Sequence, residues 1–596
     1  MSGSARTPHC QSKYVKPWHD KTKRSITLAY GIRLARGPTV SAEAIEALRP
    51  RKRPSIEIRA GDLPRLVGDA EDSLIRDGGI YQRGGQLVRI ASLDANQIQH
   101  GVERAAGSHV ILPVTLEYMR LALSRAAKWT KWDGRNRAVI AVDAPIAVAK
   151  ALMSASGEWK LQTLTGLTSA PTLRPDGSLL DLPGYDAASG LYGAFDASKF
   201  PPIKGKPSRE DALKAVELLR GLFNECEFTG GTNSAHACVA FAATITAILR
   251  HSLPTAPAFG FSAHKAGSGK TTIASAIGQI CTGKRPPVLA LSQDEAELRK
   301  AILAILIAGD AVILVDNIAR PVDSAALCAL LTNSSYSDRI LGVNQRAIVP
   351  TASTWLLTGN HLEFVGDLTS RVLLSVLDPE VEHPEARFFK RDLGAYVAEH
   401  RGEFVAAALT ISLAYLGADG AAMSAPRSRF PEWDRLVRRP LLWLGEADPL
   451  ETQSLIQATD PERETLLAVL VAWREAFDDR PASVKKAVEA ATAGHAPLFE
   501  AFQNVAGDRD GSINPRRLGR WLVRHIRRIE SAMRLEDGLN DPITTRRRFR
   551  VTCVSGVAGS PTHEMHNLSE VSKGDAENKG NRVCESCRGE GCRWCE

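Results

Sequence analysis

Nowhere in the 596 residues is there a run of eighteen uncharged apolar side chains, which excludes a membrane-crossing helix on sequence grounds. The most apolar stretch, 301–315, is interrupted by Gly309 and Asp310 and reads as the end of a buried helix feeding a buried strand. The basic, apolar and small-residue succession of a secretory signal is missing at the N-terminus. Cysteine is sparse: of ten in the chain, six are scattered singly, which argues against a disulfide framework and for a reducing compartment. A cytoplasmic location is therefore expected, with no membrane partner. The carboxylate cluster that a two-metal polymerising or primase site requires is lacking as well, because Asp143 and Asp181 stand alone.

What is present is ordinary globular composition, with 44% hydrophobic and 24% charged residues. At roughly 150 residues per domain the length implies two to four cores. The net charge of +8 is mild but unevenly placed. From Asn514 to Arg550 there are eleven arginines and four acids, an excess of +7. Residues 1–54 form a second basic zone with weak periodicity and read as a mobile arm. Residues 55–200 mix short strand-like runs with a helical run at 116–127 and a hairpin at 170–185 around Asp176-Gly177, and read as a small mixed α/β domain of unknown role. Trp129 and Trp132 beside Lys128 and Lys131 are candidates for stacking on bases, with packing at a rim as the ordinary alternative. Two helices, 208–223 and 232–251, occupy the segment 205–255; the second is apolar on most faces and so expected to be buried.

After Pro257 a short apolar strand, 258–263, runs into His264-Lys265-Ala266-Gly267-Ser268-Gly269-Lys270-Thr271. This fits a phosphate-binding loop except that His264 replaces the first glycine. Gly267, Ser268 and Gly269 let successive amides turn inward on phosphates, and Lys270 reaches the β and γ oxygens. Thr271 offers a hydroxyl to magnesium, and Thr272 completes the run into the helix. A second apolar strand delivers Asp316 forty-six residues after Lys270, placing a metal-coordinating carboxylate at a strand end. A third, 354–358, ends in Gly359-Asn360, where an amide orients water near a γ-phosphate, and Arg371 follows eleven residues later to open a fourth strand. Loop, acid, polar residue and arginine in this order point to ATP with Mg2+, the metal held by Thr271 and Asp316.

This order, with a helical segment just ahead, resembles the superfamily 3 branch of the AAA+ ATPases, the helicases of viruses, phages and plasmids. Val315-Asp316-Asn317, Leu330-Leu331-Thr332, the run Ser337 to Gly342, Thr358-Gly359-Asn360 and Ser370-Arg371-Val372 look like the helicase-like ATPases of phages and integrative elements that accompany or are fused to primases. So does 430–449, with Trp433 and Trp443-Leu444-Gly445. The likeness spans roughly 205–452, with a weaker echo at 159–185. It implies a ring, usually a hexamer, that binds ATP between subunits and tracks along single-stranded or forked DNA, with a separate primase as a plausible partner. It also implies that Arg371 acts in the neighbouring subunit's site; a strand-end ion pair with Asp367 is the alternative, and Arg339 and Arg346 are second candidates for that role or for DNA. Most members carry glutamate after the strand-end acid, whereas this chain has Asn317, which cannot accept a proton.

The expected architecture is a multidomain α/β protein: a P-loop AAA+ core at 256–380 with a parallel sheet and flanking helices, a helical lid at 381–480, and a winged-helix-like basic module at 481–554. In that module Arg516, Arg517, Arg520, Arg524, Arg527 and Arg528 are expected along one side of a helix spanning 515–530, with Arg546, Arg547 and Arg548 on a following basic hairpin, all facing DNA. Residues 555–583 read as a flexible linker. The end, 584–596, carries Cys584, Cys587, Cys592 and Cys595, two CxxC pairs sufficient for a closed structural Zn2+ knuckle and similar in texture to the zinc repeats of J-domain co-chaperones.

Overall fold

The computed structural model describes residues 53–99, 101–340, 346–418, 428–458, 461–538 and 547–554. The expectations for most of the arm, the linker and the cysteine tail lie outside these residues.

Chain order begins with β1 (Ser55–Ile58), α1 (Leu63–Asp77), β2 (Ile80–Arg83), β3 (Gln86–Ser92), β4 (Gln97–Gln99), β5 (Val102–Arg104), β6 (His109–Pro113), α2 (Leu116–Ala126), β7 (Lys128–Asp133), β8 (Ala138–Val142) and α3 (Ile146–Ser154). Three helices and the small sheet β1-β7-β8 close around Leu66, Leu74, Met119, Leu123, Trp129 and Leu152. Short strands follow: β9 (Gly166–Thr168), β10 (Thr172–Leu173), β11 (Leu179–Leu180), β12 (Gly184–Tyr185) and β13 (Leu191–Gly193), with β10 and β11 forming the hairpin around Asp176-Gly177.

Next come α4 (Arg209–Leu222), α5 (Ala235–Leu249), β14 (Ala258–Ala263), α6 (Lys270–Thr282), β15 (Val288–Leu289), α7 (Glu295–Ala308), β16 (Val312–Ile318), α8 (Ala325–Thr332), β17 (Ser335–Arg339), β18 (Arg346–Pro350), β19 (Thr354–Asn360) and β20 (Val372–Leu377). The central sheet runs β20-β14-β19-β16-β15 in parallel, extended by antiparallel β5 and β4. Its strands are continuous apolar runs because helices cover both faces. On β16, Val312 and Leu314 join the core with α5 and α6, while Ile313 and Val315 join the opposite core with α7 and α8. The nearly all-buried α5 confirms its all-round apolar pattern.

Residues 97–104, read from sequence as part of a separate 55–200 domain, instead complete one edge of the central sheet. Arg104 holds Asp310, in the turn before β16, through Nη2–Oδ2 at 2.6 Å, with both side chains at most 5% exposed. Removing one partner strands a buried charge, so Arg104→Ala is expected to lower the unfolding free energy by about 3–5 kcal/mol in denaturant titrations, and pairing Arg104→Met with Asp310→Leu should restore most of it.

Further elements include α9 (Leu393–Gly417), α10 (Glu451–Ala458), α11 (Pro461–Phe477), β21 (Ala482–Ser483), α12 (Val484–Thr492), α13 (Ala496–Ala506), α14 (Pro515–Arg524), β22 (Ile529–Glu530), β23 (Met533–Gly538) and β24 (Arg548–Cys553), with short helical turns at 431–444 between α9 and α10. The long α9 packs on α4 and α6, and α10 on β20. Expected in the 381–480 segment, α11 belongs instead to the C-terminal core, where Leu470 and Trp473 meet Phe502, Leu522, Leu535 and Phe549. There the sheet runs β21-β24-β23-β22. A second correction concerns α14: it ends at Arg524, and Arg527 adopts φ 68° in the turn that follows, so Arg527 and Arg528 are not on the helix.

Candidate functional site

Three parallel strands end at one edge of the central sheet, and each delivers a polar group there. From β14 the chain enters the loop that closes onto α6. Among the described residues no side chain caps α6, so its first amides are open to an anion. Ser268 donates to the Lys265 carbonyl at 2.7 Å and fixes the loop's interior. Gly267, at φ 74°, lies against residues 384–386: a Cβ there would stand 2.9 Å from Glu385 backbone nitrogen. The Lys270 side chain folds back, its ammonium donating to the Lys265 carbonyl at 3.0 Å, and the residue is only 9% exposed. That burial pulls its pKa below the ordinary lysine value, with the Asp316 carboxylate opposing the shift.

Asp316 gathers donors from three elements. Its Oδ1 accepts from the Thr271 hydroxyl on α6 at 2.9 Å, from its own neighbour's amide, Asn317 N–H, at 3.0 Å, and from the Thr358 hydroxyl on β19. Thr271 and Asp316 therefore present adjacent hard oxygens, the donor type a Mg2+ ion takes. Thr358 was missed from sequence; a hydroxyl in the otherwise apolar, buried interior of β19 was the available signal. Asn317 sits in a bulge between β16 and β19 with φ 57°, and its side chain is exposed. A left-handed backbone at a non-glycine position favours asparagine, which gives this residue a conformational reason independent of chemistry. At the same bulge Gly359 passes so close to β16 that a Cβ would clash with the Ile318 carbonyl.

Asn360 is in register with Ala263, the last residue of β14, and is exposed at the same edge. His264, in the first-glycine position, faces His361 with ring centroids 5.1 Å apart. The sequence-predicted Lys270, Thr271, Asp316 and Asn360 are thus brought to one strand-end edge. Beside the loop opens a cavity of about 560 Å3 lined by Gly267 to Thr272 and walled by Leu222, Cys226, Phe389 and Leu393. On the far side of Asp316 a second cavity of about 570 Å3 contains Asn317 and Glu295. The Glu295 carboxylate is engaged by the Ser324 hydroxyl and by Ala326 N–H at 2.6 Å.

Arg371 is elsewhere. It precedes β20 at the opposite end of the sheet, where Val372 pairs with Ala258. Six residues at about 3.3 Å each put it roughly 20 Å from the loop in its own chain. Its Nη1 lies 3.3 Å from Asp367 Oδ2, the side chain is 11% exposed, and Nε is buried without a hydrogen-bond partner among the described residues. The ion pair with Asp367 is present.

The C-terminal arginines divide into two groups. Arg517 reaches Asp508 at 3.2 Å, Arg547 reaches Asp537 at 2.7 Å, and Arg528 lies between Glu462 and Glu530. Arg516, Arg520, Arg524 and Arg527 are exposed and pair with no acid among the described residues. Arg548 is half-buried on β24, and Arg546 lies outside the described residues. Arg339 and Arg346 face each other across the hairpin of β17 and β18, both exposed. Directly opposed like charges are unfavourable unless an anion comes between them.

No protein-family model matches the chain, and no curated protein matches it. Among solved structures, the C-terminal region of NrS-1 in an apo form is similar at TM-score 0.33 and 12% identity, over 78% of this chain and 97% of that one. A structure described as an active helicase, SCCmec type IV Cch, is similar at TM-score 0.28 and 12% identity over 68% and 84%. The JCV helicase is similar at TM-score 0.18 and 15% identity over 40% and 67%.

Proposed function

We propose that this protein is an ATP-dependent DNA helicase or translocase acting in replication of a mobile genetic element in a cytoplasm. The observation that carries the reading is the meeting of Thr271, Asp316 and Thr358 on one carboxylate oxygen beside the buried Lys270. In it, α6 amides and Lys270 bind the triphosphate of ATP, with the base directed toward the wall of Leu222 and Phe389. Mg2+, held through Thr271 and Asp316, neutralises phosphate charge when bound. Asn360 orients a water whose oxygen attacks the γ-phosphorus as the bond to the ADP leaving group breaks, the water's proton passing to an oxygen of the phosphate released. Asn317 contributes no base, so hydrolysis is slow to moderate. Because Arg371 sits at the far end of the sheet, an arginine contribution comes from the adjacent subunit of a ring, hexameric by resemblance. The C-terminal helices and sheet serve as a winged-helix-like DNA module, and Cys584, Cys587, Cys592 and Cys595 hold structural Zn2+. With Mg2+ and ATP the protein is expected to unwind a forked duplex, and Lys270→Ala is not.

A second reading is favoured by Asn317: ATP binding assembles a DNA-bound platform that recruits a primase or loads another helicase without unwinding. It prevails if neither protein separates strands while both bind DNA.

Replacing Arg516, Arg520, Arg524 and Arg527 together by alanine is expected to reduce the slope of log affinity against log salt by about 3–4 on duplex DNA. Arg517→Ala with Arg547→Ala is expected to change it by less than about 1, since those guanidinium groups are neutralised within the fold. Salt titrations of fluorescence anisotropy read both.

A further inference from the structure

The hairpin of β7 and β8 carries a feature that neither the phosphate site nor α14 uses. Strand alternation sends Trp129 and Trp132 to opposite faces. Trp129 is 2% exposed and donates its indole N–H to the Leu123 carbonyl at 2.9 Å, so it belongs to the core. Trp132 is 54% exposed, and its cross-strand partner Val139 is 58% exposed. An indole this open beside an open valine is not explained by packing.

Charge singles out the same place. Lys128, Lys131, Arg135 and Arg137 are all exposed, and none pairs with an acid among the described residues. The hairpin's one acid, Asp133, is occupied in shaping the turn: it accepts from Arg135 N–H at 3.0 Å and from the Asn136 side-chain amide at 2.6 Å. Lys131 lies on the Trp129 face, which leaves Lys128 on the strand face of Trp132 and Arg135 and Arg137 in and after the adjoining turn. Three such cations beside an exposed indole call for a polyanion that also offers an aromatic face. Single-stranded nucleic acid has both, whereas a duplex keeps its bases stacked inside. Six strand residues at about 3.3 Å span roughly 20 Å, enough for a few nucleotides.

We propose that the β7–β8 hairpin is a second DNA-binding site, specific for single strands, with Trp132 stacking on a base and Lys128, Arg135 and Arg137 contacting the flanking phosphates. The site needs no nucleotide and is independent of the ATP-driven reading. Because β8 ends the sheet β1-β7-β8 among the described residues, its edge also offers itself to a second copy of the chain; that occupant is an outcome of the test.

The test uses the full chain with Arg516, Arg520, Arg524 and Arg527 changed to alanine, so that residual binding reports the hairpin. Anisotropy of oligo(dT) of about 30 nucleotides, without ATP, is expected to show Trp132→Ala weakening binding about tenfold and Trp132→Phe retaining most of it. Neutralising Lys128, Arg135 and Arg137 should lower the salt slope by about 2. A 5-iododeoxyuridine strand should crosslink to the peptide containing Trp132, a readout that needs no variant. Unchanged oligo(dT) affinity in both variants with no crosslink at Trp132 overturns the proposal. So does tighter binding of RNA than of DNA through the same residues, an equal loss on blunt duplex, or a change of mass in light scattering on Trp132→Ala at unaltered DNA affinity, which would assign the face to another copy.

Discussion

Lys270→Ala is expected to lower the turnover of ATP by about 10³-fold or more while leaving the melting temperature and DNA affinity nearly unchanged. The reason lies in what the ammonium does in the folded chain. It is buried, hydrogen-bonded among the described residues only to a loop carbonyl, and placed beside the first amides of α6, so in the proposed reading it meets the charge that develops on a β,γ-phosphate. A fixed charge in a partly desolvated site stabilises a transition state far more than the same charge in water. Its loss removes that stabilisation without opening the hydrophobic core. A steady-state phosphate-release assay beside a thermal melt separates this from unfolding: loss of activity with a melting point several degrees lower would indicate a structural role instead.

Mixing experiments on Arg371 carry the second large effect. Arg371→Ala alone is expected to reduce hydrolysis by about 10³-fold, the size associated with a guanidinium on a transferring phosphoryl group. Lys270→Ala alone is equally inactive. Mixed, the two should recover activity, because some junctions then combine an intact Lys270 from one chain with an intact Arg371 from the next. The roughly 20 Å between Arg371 and the loop excludes action within one chain. Arg371 also pairs with Asp367, so Asp367→Ala is the control. If the pair merely braces the entry to β20, Asp367→Ala should resemble Arg371→Ala, and mixing should restore nothing.

Much of this site was legible before any fold was known, because its chemistry is local in sequence. The strands 258–263 and 372–377 are observed with the bounds expected for them, and β16 and β19 deliver Asp316 and Asn360 at their ends. Strand alternation and glycine chemistry act over a few residues, so short windows contain the information. Non-local relations were not readable. Nothing in 97–104 shows that it pairs with β15, because the partner lies nearly two hundred residues away. The membership of α11 depends on Trp473 meeting Phe502 and Phe549. The arginines looked alike in sequence, yet acids brought near by folding neutralise Arg517, Arg528 and Arg547, whereas Arg516, Arg520, Arg524 and Arg527 pair with no acid among the described residues. Asn317 read only as a missing base; its left-handed backbone in the bulge supplies a second reason for asparagine.

The central claim is that Lys270, Thr271, Asp316 and Asn360 surround one triphosphate. Titration calorimetry with a non-hydrolysable ATP analogue and Mg2+ tests it most directly. The expected result is one nucleotide bound per chain, with binding lost in Lys270→Ala and made insensitive to Mg2+ in Asp316→Asn. Absence of any nucleotide uptake by the intact protein, or uptake untouched by both substitutions, would contradict it.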